Sequence, residues 1–327
     1  MSDAPVVQIV EIDEASEGQR IDNYLMKVLK GVPKSHVYRV IRDGQVRVNK
    51  RRVDAKERLA LGDQVRIPPI RVASAAASAQ VQVPAAEFPI LFEDDAFLAI
   101  DKPAGIAVHG GSGQSFGVIE QLRRARPQAK LLELVHRLDK ETSGILLIAK
   151  KRSALKNLQD QFRSREMDKR YLALVHGIWP QRHKVIDLYL YKYLLASGER
   201  RVRVVDEAHS QAQRSVSLVS VLARQEQGHD ALGARSLLEV RIKTGRTHQI
   251  RVHLSHHQHP IAMDDKYGES NWNARCESVG LKRMFLHAHT LLLNHPGTGQ
   301  AMQLRAPLPV DLLPWALGFA DAVADSD

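Results

Sequence analysis

The chain of 327 residues is 44% hydrophobic and is long enough for two packed domains. Its formal net charge is +10, and its single cysteine, Cys276, excludes an intrachain disulfide and favours a reducing compartment. The N-terminus lacks the pattern of a signal peptide, and no stretch is apolar over the length of a membrane helix. We therefore expect a cytoplasmic protein that does not engage a membrane.

The basic charge is concentrated near the N-terminus, after a predicted tail of residues 1–19. Residues 20–71 contain 14 Lys and Arg against 5 Asp and Glu, which gives +9 of the total charge. Concentrated positive charge on a small unit is typical of nucleic-acid binding, and a solvated basic face is the simpler alternative. The candidate RNA-binding residues of this unit are Arg39, Arg42, Arg47, Lys50, Arg51 and Arg52.

Two predicted helices open this basic unit. Apolar residues from Ile21 to Leu29 recur at helical spacing, and a second helix is predicted from Ser35, as its N-cap, to Asp43, with Gly44 after its end. Two short strands follow, at VRVN and VRIP. This order of helices and strands, with basic residues exposed between them, resembles the S4 RNA-binding domain.

A linker is predicted over residues 72–87. Ala and Ser dominate this stretch, and residues 72–86 carry no charge and no amphipathic period. Such a composition gives reach without a fixed orientation. Beyond the linker we expect a larger domain over residues 88–316 and a C-terminal tail over residues 317–327.

Strands outnumber helices in the pattern of residues 88–316. A hairpin is predicted around Asp94 and Asp95, with further strands at ILLIAK, RYLALVHG, SLLEVRIKTG and RMFLHAHTLLLNHP. Helices are predicted from Ser153 to Phe162 and over THQIRVHLSHH, the latter opened by Thr247. The predicted fold class is therefore α+β, with a mixed, mainly antiparallel sheet.

The most informative stretch is HRLDKETSGILLIAK, residues 136–150. A charged loop with His136, Arg137 and Asp139 leads through a small-residue turn into an apolar run, which predicts a buried strand. An acid fixed at the edge of such a strand, beside cations, is placed for chemistry. Taken alone, a structural ion pair is the commoner explanation for this kind of neighbourhood.

The pattern HRLDxxTSG resembles the active-site motif of the RluA-type pseudouridine synthases, in which the Asp is the catalytic nucleophile. That position is Asp139 here. The similarity extends along most of the chain and is greatest to the RluC branch, which modifies large-subunit ribosomal RNA. It implies an S4-like domain joined to a catalytic domain of the pseudouridine synthase type, ribosomal RNA as the partner, and no obligate protein partner.

The resemblance also implies a cation beside the catalytic acid. In TGRTHQIRVH, Arg251 is the expected salt-bridge partner of Asp139. Arg246 is the alternative, and is otherwise expected nearer the RNA backbone. A carboxylate in a pocket that excludes water needs such a partner to stay ionised.

Three further side chains are implied in handling the target base. Tyr171, in a K-x-Y pattern, is expected to stack on the uracil, because a phenol with a pKa near ~10 is a poor base at neutral pH. Arg137 is expected to fill the gap that an extruded uridine leaves in the RNA. His136 is expected to order the loop by hydrogen bonding.

Isomerisation of uridine to pseudouridine breaks the N1–C1′ bond, turns the uracil and rejoins it through C5, with neither net redox change nor hydrolysis. No cofactor is therefore predicted. No metal is predicted either: His253 and His257 have the i, i+4 spacing of a metal site, but HExxH is absent. Asp139 could act first as nucleophile at C1′ or as base at C2′, and the sequence leaves both open.

Two other functions remain open at this point. A non-catalytic RNA-binding or ribosome-assembly factor would keep the fold, but it would not need an acid held against RNA phosphates. A nucleoside or glycoside hydrolase would also act at an anomeric carbon, but it normally pairs two carboxylates. Glu141 is close to Asp139 in the sequence, within the same turn, which does not show that the two converge.

Overall fold

The structure is a computed structural model that divides into two compact units at residues 82 and 83. It describes residues 6–14, 16–29, 31–70, 83–110, 116–226 and 232–317. Most of the predicted linker and all but the first residue of the predicted C-terminal tail lie outside these ranges. No helix in the described parts of the chain is long and apolar enough to span a membrane.

The N-terminal unit is a small sheet with two helices. Its described elements are β1 (Gln8–Glu11), α1 (Ile21–Val28), α2 (Lys34–Arg42), β2 (Arg47–Val48), β3 (Arg51–Arg52) and β4 (Gln64–Ile67). The strands pair antiparallel in the order β1–β4–β2–β3. The apolar faces of the helices form the core with the sheet, and Ile21, Leu25 and Val37 are fully buried there.

Part of the predicted N-terminal tail belongs to this sheet. β1 lies within residues 1–19 and pairs with β4, with Val10 opposite Val65. Ile12, directly after β1, is only 1% exposed in the core. The short apolar stretch before the first helix is therefore an edge strand. Its own sequence does not reveal this, because the strand forms only by pairing with β4, far along the chain.

The predicted cap of the second helix was wrong. α2 begins one residue earlier, with Pro33 rather than Ser35 at the N-cap position. The carbonyl of Pro33 accepts the backbone amides of His36 (2.9 Å) and Val37 (3.2 Å). The fixed φ of proline suits the entry to a helix, so the first turn closes before Ser35 can cap it.

The second unit contains the larger sheet. Its described elements are β5 (Ile90–Glu93), β6 (Phe97–Lys102), α3 (Val118–Ala125), β7 (Glu133–Leu134), β8 (Ser143–Ala149), α4 (Arg152–Ser164), β9 (Asp168–His176), β10 (Val185–Leu194), β11 (Arg200–Val205), β12 (Gln213–Gln225), β13 (Arg235–Ile242), α5 (Gln249–His256), α6 (Ser270–Ser278), β14 (Leu286–Asn294), β15 (Ala301–Arg305) and α7 (Leu313–Leu317).

The strands of this unit form one sheet of eleven strands within the described residues. Their order is β11–β10–β12–β13–β9–β14–β8–β6–β5, with β15 added to β14 and β7 added to β8. The pairing of β14 with β8 is parallel and the other strand pairs are antiparallel. The predicted α+β class with a mixed, mainly antiparallel sheet is confirmed.

Strand β8 is buried on both faces, which explains its uninterrupted apolar sequence. Ile145 and Leu147 point towards α4 on one face, where they pack with Leu158. Leu146 and Ile148 point to the opposite face, in the cluster that contains α3. A strand covered on both faces needs no alternation of apolar and polar residues. Because β8 is buried along its whole length, its first residue, Ser143, is held firmly in the middle of the sheet.

The sheet branches where β8 begins. β8 pairs in parallel with β14 over two residues only, His287 opposite Ser143 and Ala288 opposite Gly144, and further along β14 pairs with β15 instead. Gly144 has φ +109°, and a Cβ there would overlap the backbone of Ala288. The branch places the loop before β8 at an opening in the sheet. The close approach of β8 and β14 at this point is possible because residue 144 is a glycine.

Substituting this glycine should therefore destabilise the fold. We expect Gly144→Ala to lower the free energy of unfolding by at least about 3 kcal/mol, because a strained φ adds to an overlap with a fixed strand. Gly299→Ala, in the turn between β14 and β15, is the matched control: its φ is +74° but the space around it is open. It should cost only about 1–2 kcal/mol. Equal losses in urea denaturation would show that the close approach does not matter.

Candidate active site

Asp139 lies in the loop between β7 and β8, next to the branch of the sheet. The fully buried ammonium of Lys102 donates to the backbone carbonyls of Pro103 (2.8 Å), Ile106 (3.0 Å) and Lys140 (3.1 Å). Burial lowers the pKa of Lys102 to about 7. Because Lys140 directly follows Asp139, these bonds tie the turn after β6, at residues 103–106, to the loop and fix the backbone that carries the acid.

His136 anchors the other end of the loop. Its Nε2 accepts the backbone N–H of Leu147 at 3.1 Å, and its ring lies against Phe162 of α4, with 4.7 Å between the ring centroids. Burial, helped by the charge of Lys169, lowers its pKa to about 4. A neutral imidazole that accepts a strand amide is suited to hold the loop.

Arg251 of α5 brings the guanidinium that faces the acid. Its Nη1 lies 3.8 Å from Oδ2 of Asp139, and its own side chain is only 3% exposed. Arg246 lines the same cavity but forms no ion pair with Asp139: it is exposed, and its Nε donates to the carbonyl of Arg214 at 3.4 Å. Of the two arginines considered from the sequence, the structure places Arg251 beside Asp139.

The strongest contacts of Arg251 are to two other acids. Its Nε and Nη2 donate to Asp264 at 2.7 and 2.6 Å, and Nη2 also donates to Asp265 at 2.8 Å. Burial disfavours the charge on Asp264, but the hydrogen bonds from Arg251 and from two backbone amides outweigh it, so the pKa of Asp264 is lowered. Asp264 thus holds the guanidinium by two hydrogen bonds along its Nε–Nη2 edge and leaves Nη1 to face Asp139.

A cavity of about 310 Å³ opens in front of Asp139. Tyr171, on β9, forms part of its wall together with Leu286 and Phe162, and the exposed Arg137 lies at the same opening. Burial and the nearby charge of Asp139 raise the pKa of the Tyr171 phenol well above its usual value. Tyr171 is therefore a protonated aromatic wall, which suits stacking and not proton removal.

Several residues of the site carry no sequence signal that we could read. His248 adopts the left-handed conformation (φ 51°) at the N-cap of α5, so the predicted opening of this helix by Thr247 was wrong. Its Nδ1 lies 2.7 Å from the hydroxyl of Tyr267, whose ring stands 5.2 Å from the guanidinium of Arg251. Together with Asp264, these residues surround Arg251, and only the tertiary fold brings them there.

The six candidate RNA-binding residues of the N-terminal unit are all exposed. The side chain of Arg42 is 81% exposed. Arg47 instead donates to the carbonyls of Gly44 and Lys50, and Arg51 pairs with Glu57 at 2.7 Å. These contacts leave the basic face open to solvent, as phosphate binding requires.

Histidines of α5 and of the segment directly after it have packing partners. His253 is buried, and its Nε2 lies 2.7 Å from the hydroxyl of Ser215. His257 packs against His183 and Trp179. Within the described residues, no group of three or more His, Cys, Asp or Glu side chains is arranged to hold a metal ion.

The chain is similar to known proteins over most of its length. The sequence model described as RNA pseudouridylate synthase matches residues 96–256, and the S4 domain model matches residues 19–65. The Ribosomal large subunit pseudouridine synthase C of Yersinia pestis is 50% identical over 308 residues, which cover 93% of each chain. The protein of the same name from Escherichia coli (strain K12) is 49% identical over 313 residues, 94% of this chain and 95% of that protein.

A solved structure supports the same relationship. Human RNA Pseudouridylate Synthase Domain Containing 4 superimposes with a TM-score of 0.57 at 26% sequence identity. The match covers 71% of this chain and 93% of the human one. The resemblance first seen in HRLDxxTSG thus extends along most of the sequence and over most of the fold.

Proposed function

Because this chain belongs to the RNA pseudouridylate synthase family, we propose that it converts specific uridines of large-subunit ribosomal RNA to pseudouridine, with Asp139 as the catalytic carboxylate. The observation that carries this proposal is the position of Asp139 at the cavity, with a buried guanidinium 3.8 Å away. The substrate follows from relatives about half identical to the chain that are named for the large ribosomal subunit. Such a substrate implies a cytoplasmic enzyme.

The arrangement supports either first step that a carboxylate can take. Asp139 would attack C1′ of the ribose, or remove the proton from C2′, as the N1–C1′ bond breaks. In both cases the acid must be ionised when the uridine enters. At about 4 Å and an effective dielectric constant of about 20, a cation contributes roughly 4 kcal/mol of Coulomb attraction before desolvation. Arg251 supplies that cation, and Asp264 holds it in place.

The wall of the cavity would hold the uracil while it turns. Tyr171 offers a flat aromatic face, and base–aromatic stacking contributes about 1–3 kcal/mol per base. After C5 joins C1′, the C5 proton must leave, and a phenol with a raised pKa does not take it. A relayed water is the better acceptor. Arg137, exposed at the opening, is positioned to fill the place of the extruded base.

The N-terminal unit would anchor the RNA by its phosphates. We assign this role to the S4-like domain over residues 20–71, whose six candidate RNA-binding residues are exposed. Lys and Arg contacts to phosphate make affinity fall with salt, so binding through this unit should be strongly salt-dependent. Arg246, exposed beside the catalytic cavity, would contact the backbone near the target.

The reaction can be tested with large-subunit ribosomal RNA that carries tritium at C5 of uridine. We expect the protein to release tritium to water without free uracil, because isomerisation replaces the C5 hydrogen while the base stays attached. Free uracil would instead indicate a hydrolase. Binding of the RNA with neither product would indicate a non-catalytic RNA-binding factor. Mapping pseudouridines by reverse-transcription stops, with and without the protein, then identifies the target positions.

A further inference from the structure

A second cavity lies where two strands of the large sheet separate. β10 pairs with β12 only up to Leu190, opposite Gln213. From Tyr191 onwards β10 pairs with β11 alone, so this hairpin continues beyond the sheet. The fork between the hairpin and residues 210–213 encloses a cavity of about 460 Å³, within the range of small-ligand sites.

We propose that this fork cavity is a second nucleotide subsite, which binds one nucleotide of the RNA near the target uridine. The proposal rests on the proposed function, since it requires an RNA substrate. The cavity offers a flat ring, Tyr191, cations at Lys192 and Arg246, and amide groups at Gln211 and Gln213. A nucleotide presents the matching groups: a π face, a polar base edge and a phosphate.

The charge of the lining favours this class of ligand. Its described residues include two cations and no carboxylate. Amide side chains can donate to and accept from base edges, and they are the polar groups that read nucleobases most flexibly. A purely apolar ligand would leave both the cations and the amides without a partner.

The fork cavity and the cavity of Asp139 share one lining residue. Arg246 lines both the cavity of Asp139 and the fork cavity. Its Nε donates to the carbonyl of Arg214, which leaves its Nη atoms available. A strand of RNA whose uridine enters at Asp139 would therefore pass Arg246 on its way to Tyr191.

The ring of Tyr191 is already ordered for stacking. Tyr193 lies nearly parallel to it, with 6.2 Å between centroids, and His209 lies 4.4 Å away. The guanidinium of Arg203 stands 5.7 Å from the Tyr191 ring and 5.6 Å from that of Tyr193. Because these neighbours fix the ring before RNA arrives, little side-chain entropy is lost on binding.

The test uses a short large-subunit ribosomal RNA fragment that the wild-type protein modifies. We expect Tyr191→Leu to weaken binding of this fragment by about tenfold. Tyr189→Leu, on the same strand but outside the cavity lining, should change the affinity by less than about twofold. Lys192→Gln should weaken binding and reduce the salt slope by about one, which supplies a second variant at an exposed position.

The contact partner is identified by removing bases from the RNA. Each fragment of the series carries one abasic nucleotide at a different position beside the target. At one of these positions the missing base should weaken binding by the wild-type protein about tenfold. The same fragment should bind the Tyr191→Leu variant as tightly as the intact RNA does. The proposed subsite would be overturned if Tyr191→Leu bound the intact fragment as tightly as the wild-type protein. It would also be overturned if, at every position, the loss from the abasic nucleotide simply added to the loss from Tyr191→Leu. If the wild-type protein neither binds nor modifies any ribosomal RNA fragment, the proposed function itself fails.

Discussion

Asp139→Asn is expected to lower the rate of tritium release by at least about 10⁴-fold while changing RNA affinity by less than about twofold. The amide has the size of the acid but carries no charge, so it neither attacks C1′ nor accepts the C2′ proton. The loop should keep its shape, because Lys102 binds its backbone and His136 binds β8. Single-turnover release at saturating protein, together with RNA binding by filter retention, measures both quantities.

Glu141→Gln is the matched control for this substitution. Glu141 is an acid of the same loop, pairs with Lys140 at 3.6 Å and is partly exposed. Its amide variant should keep activity within about threefold, because a surface ion pair contributes little. Normal turnover by Asp139→Asn would contradict the central assignment. A comparable loss in both variants would mean that the charge of the loop, and not one carboxylate, matters.

The part of the site that could be predicted lies in contiguous sequence. HRLDKETSG gives the acid, the arginine and the histidine in one loop, and the apolar run after it predicts β8 because that strand is buried on both faces. The hairpin around Asp94 and the strand with Tyr171 also follow from short-range patterns. Local periodicity suffices where one element alone determines the position of a side chain.

The three strands β10, β11 and β12 did not emerge from the sequence. They form one end of the sheet, and runs such as RRVRVV and QRSVSLVSV mix charges and hydroxyls with apolar residues because one face is open to solvent. The fork cavity therefore could not be foreseen. Tertiary pairing decides such strands more than propensity does.

The environment of Arg251 was equally hidden. The sequence pointed to Asp139 as its partner, yet the closest contacts are with Asp264 and Asp265, 13 and 14 residues further on. No helical or strand spacing connects these positions. The guanidinium of Arg251 faces Asp139 because the buried carboxylate of Asp264 orients it. The pair of Arg251 and Asp264 should therefore contribute to the free energy of unfolding.

Arg251→Met is expected to lower the free energy of unfolding by about 3–5 kcal/mol, because it leaves the fully buried carboxylate of Asp264 without its cation. Arg163→Met on α4 is the control: its pair with Asp160 is exposed, and its loss should change stability by less than about 1 kcal/mol. Arg251→Lys keeps the charge but not the two-pronged contact, so it should fall between wild type and Arg251→Met.

The loss in Arg251→Met should also depend on pH in a defined direction. The pKa of Asp264 is lowered in the folded wild type, so its ionised form stabilises the fold above the unfolded value near ~4, and this contribution disappears as the pH falls through the folded pKa. In Arg251→Met burial opposes ionisation instead. The stability gap between the two proteins should therefore widen in urea denaturation as the pH rises from about 3 to about 6. A gap that stays constant over this range would show that Arg251 stabilises the fold by packing, and its role beside Asp139 would then have to be judged from turnover alone.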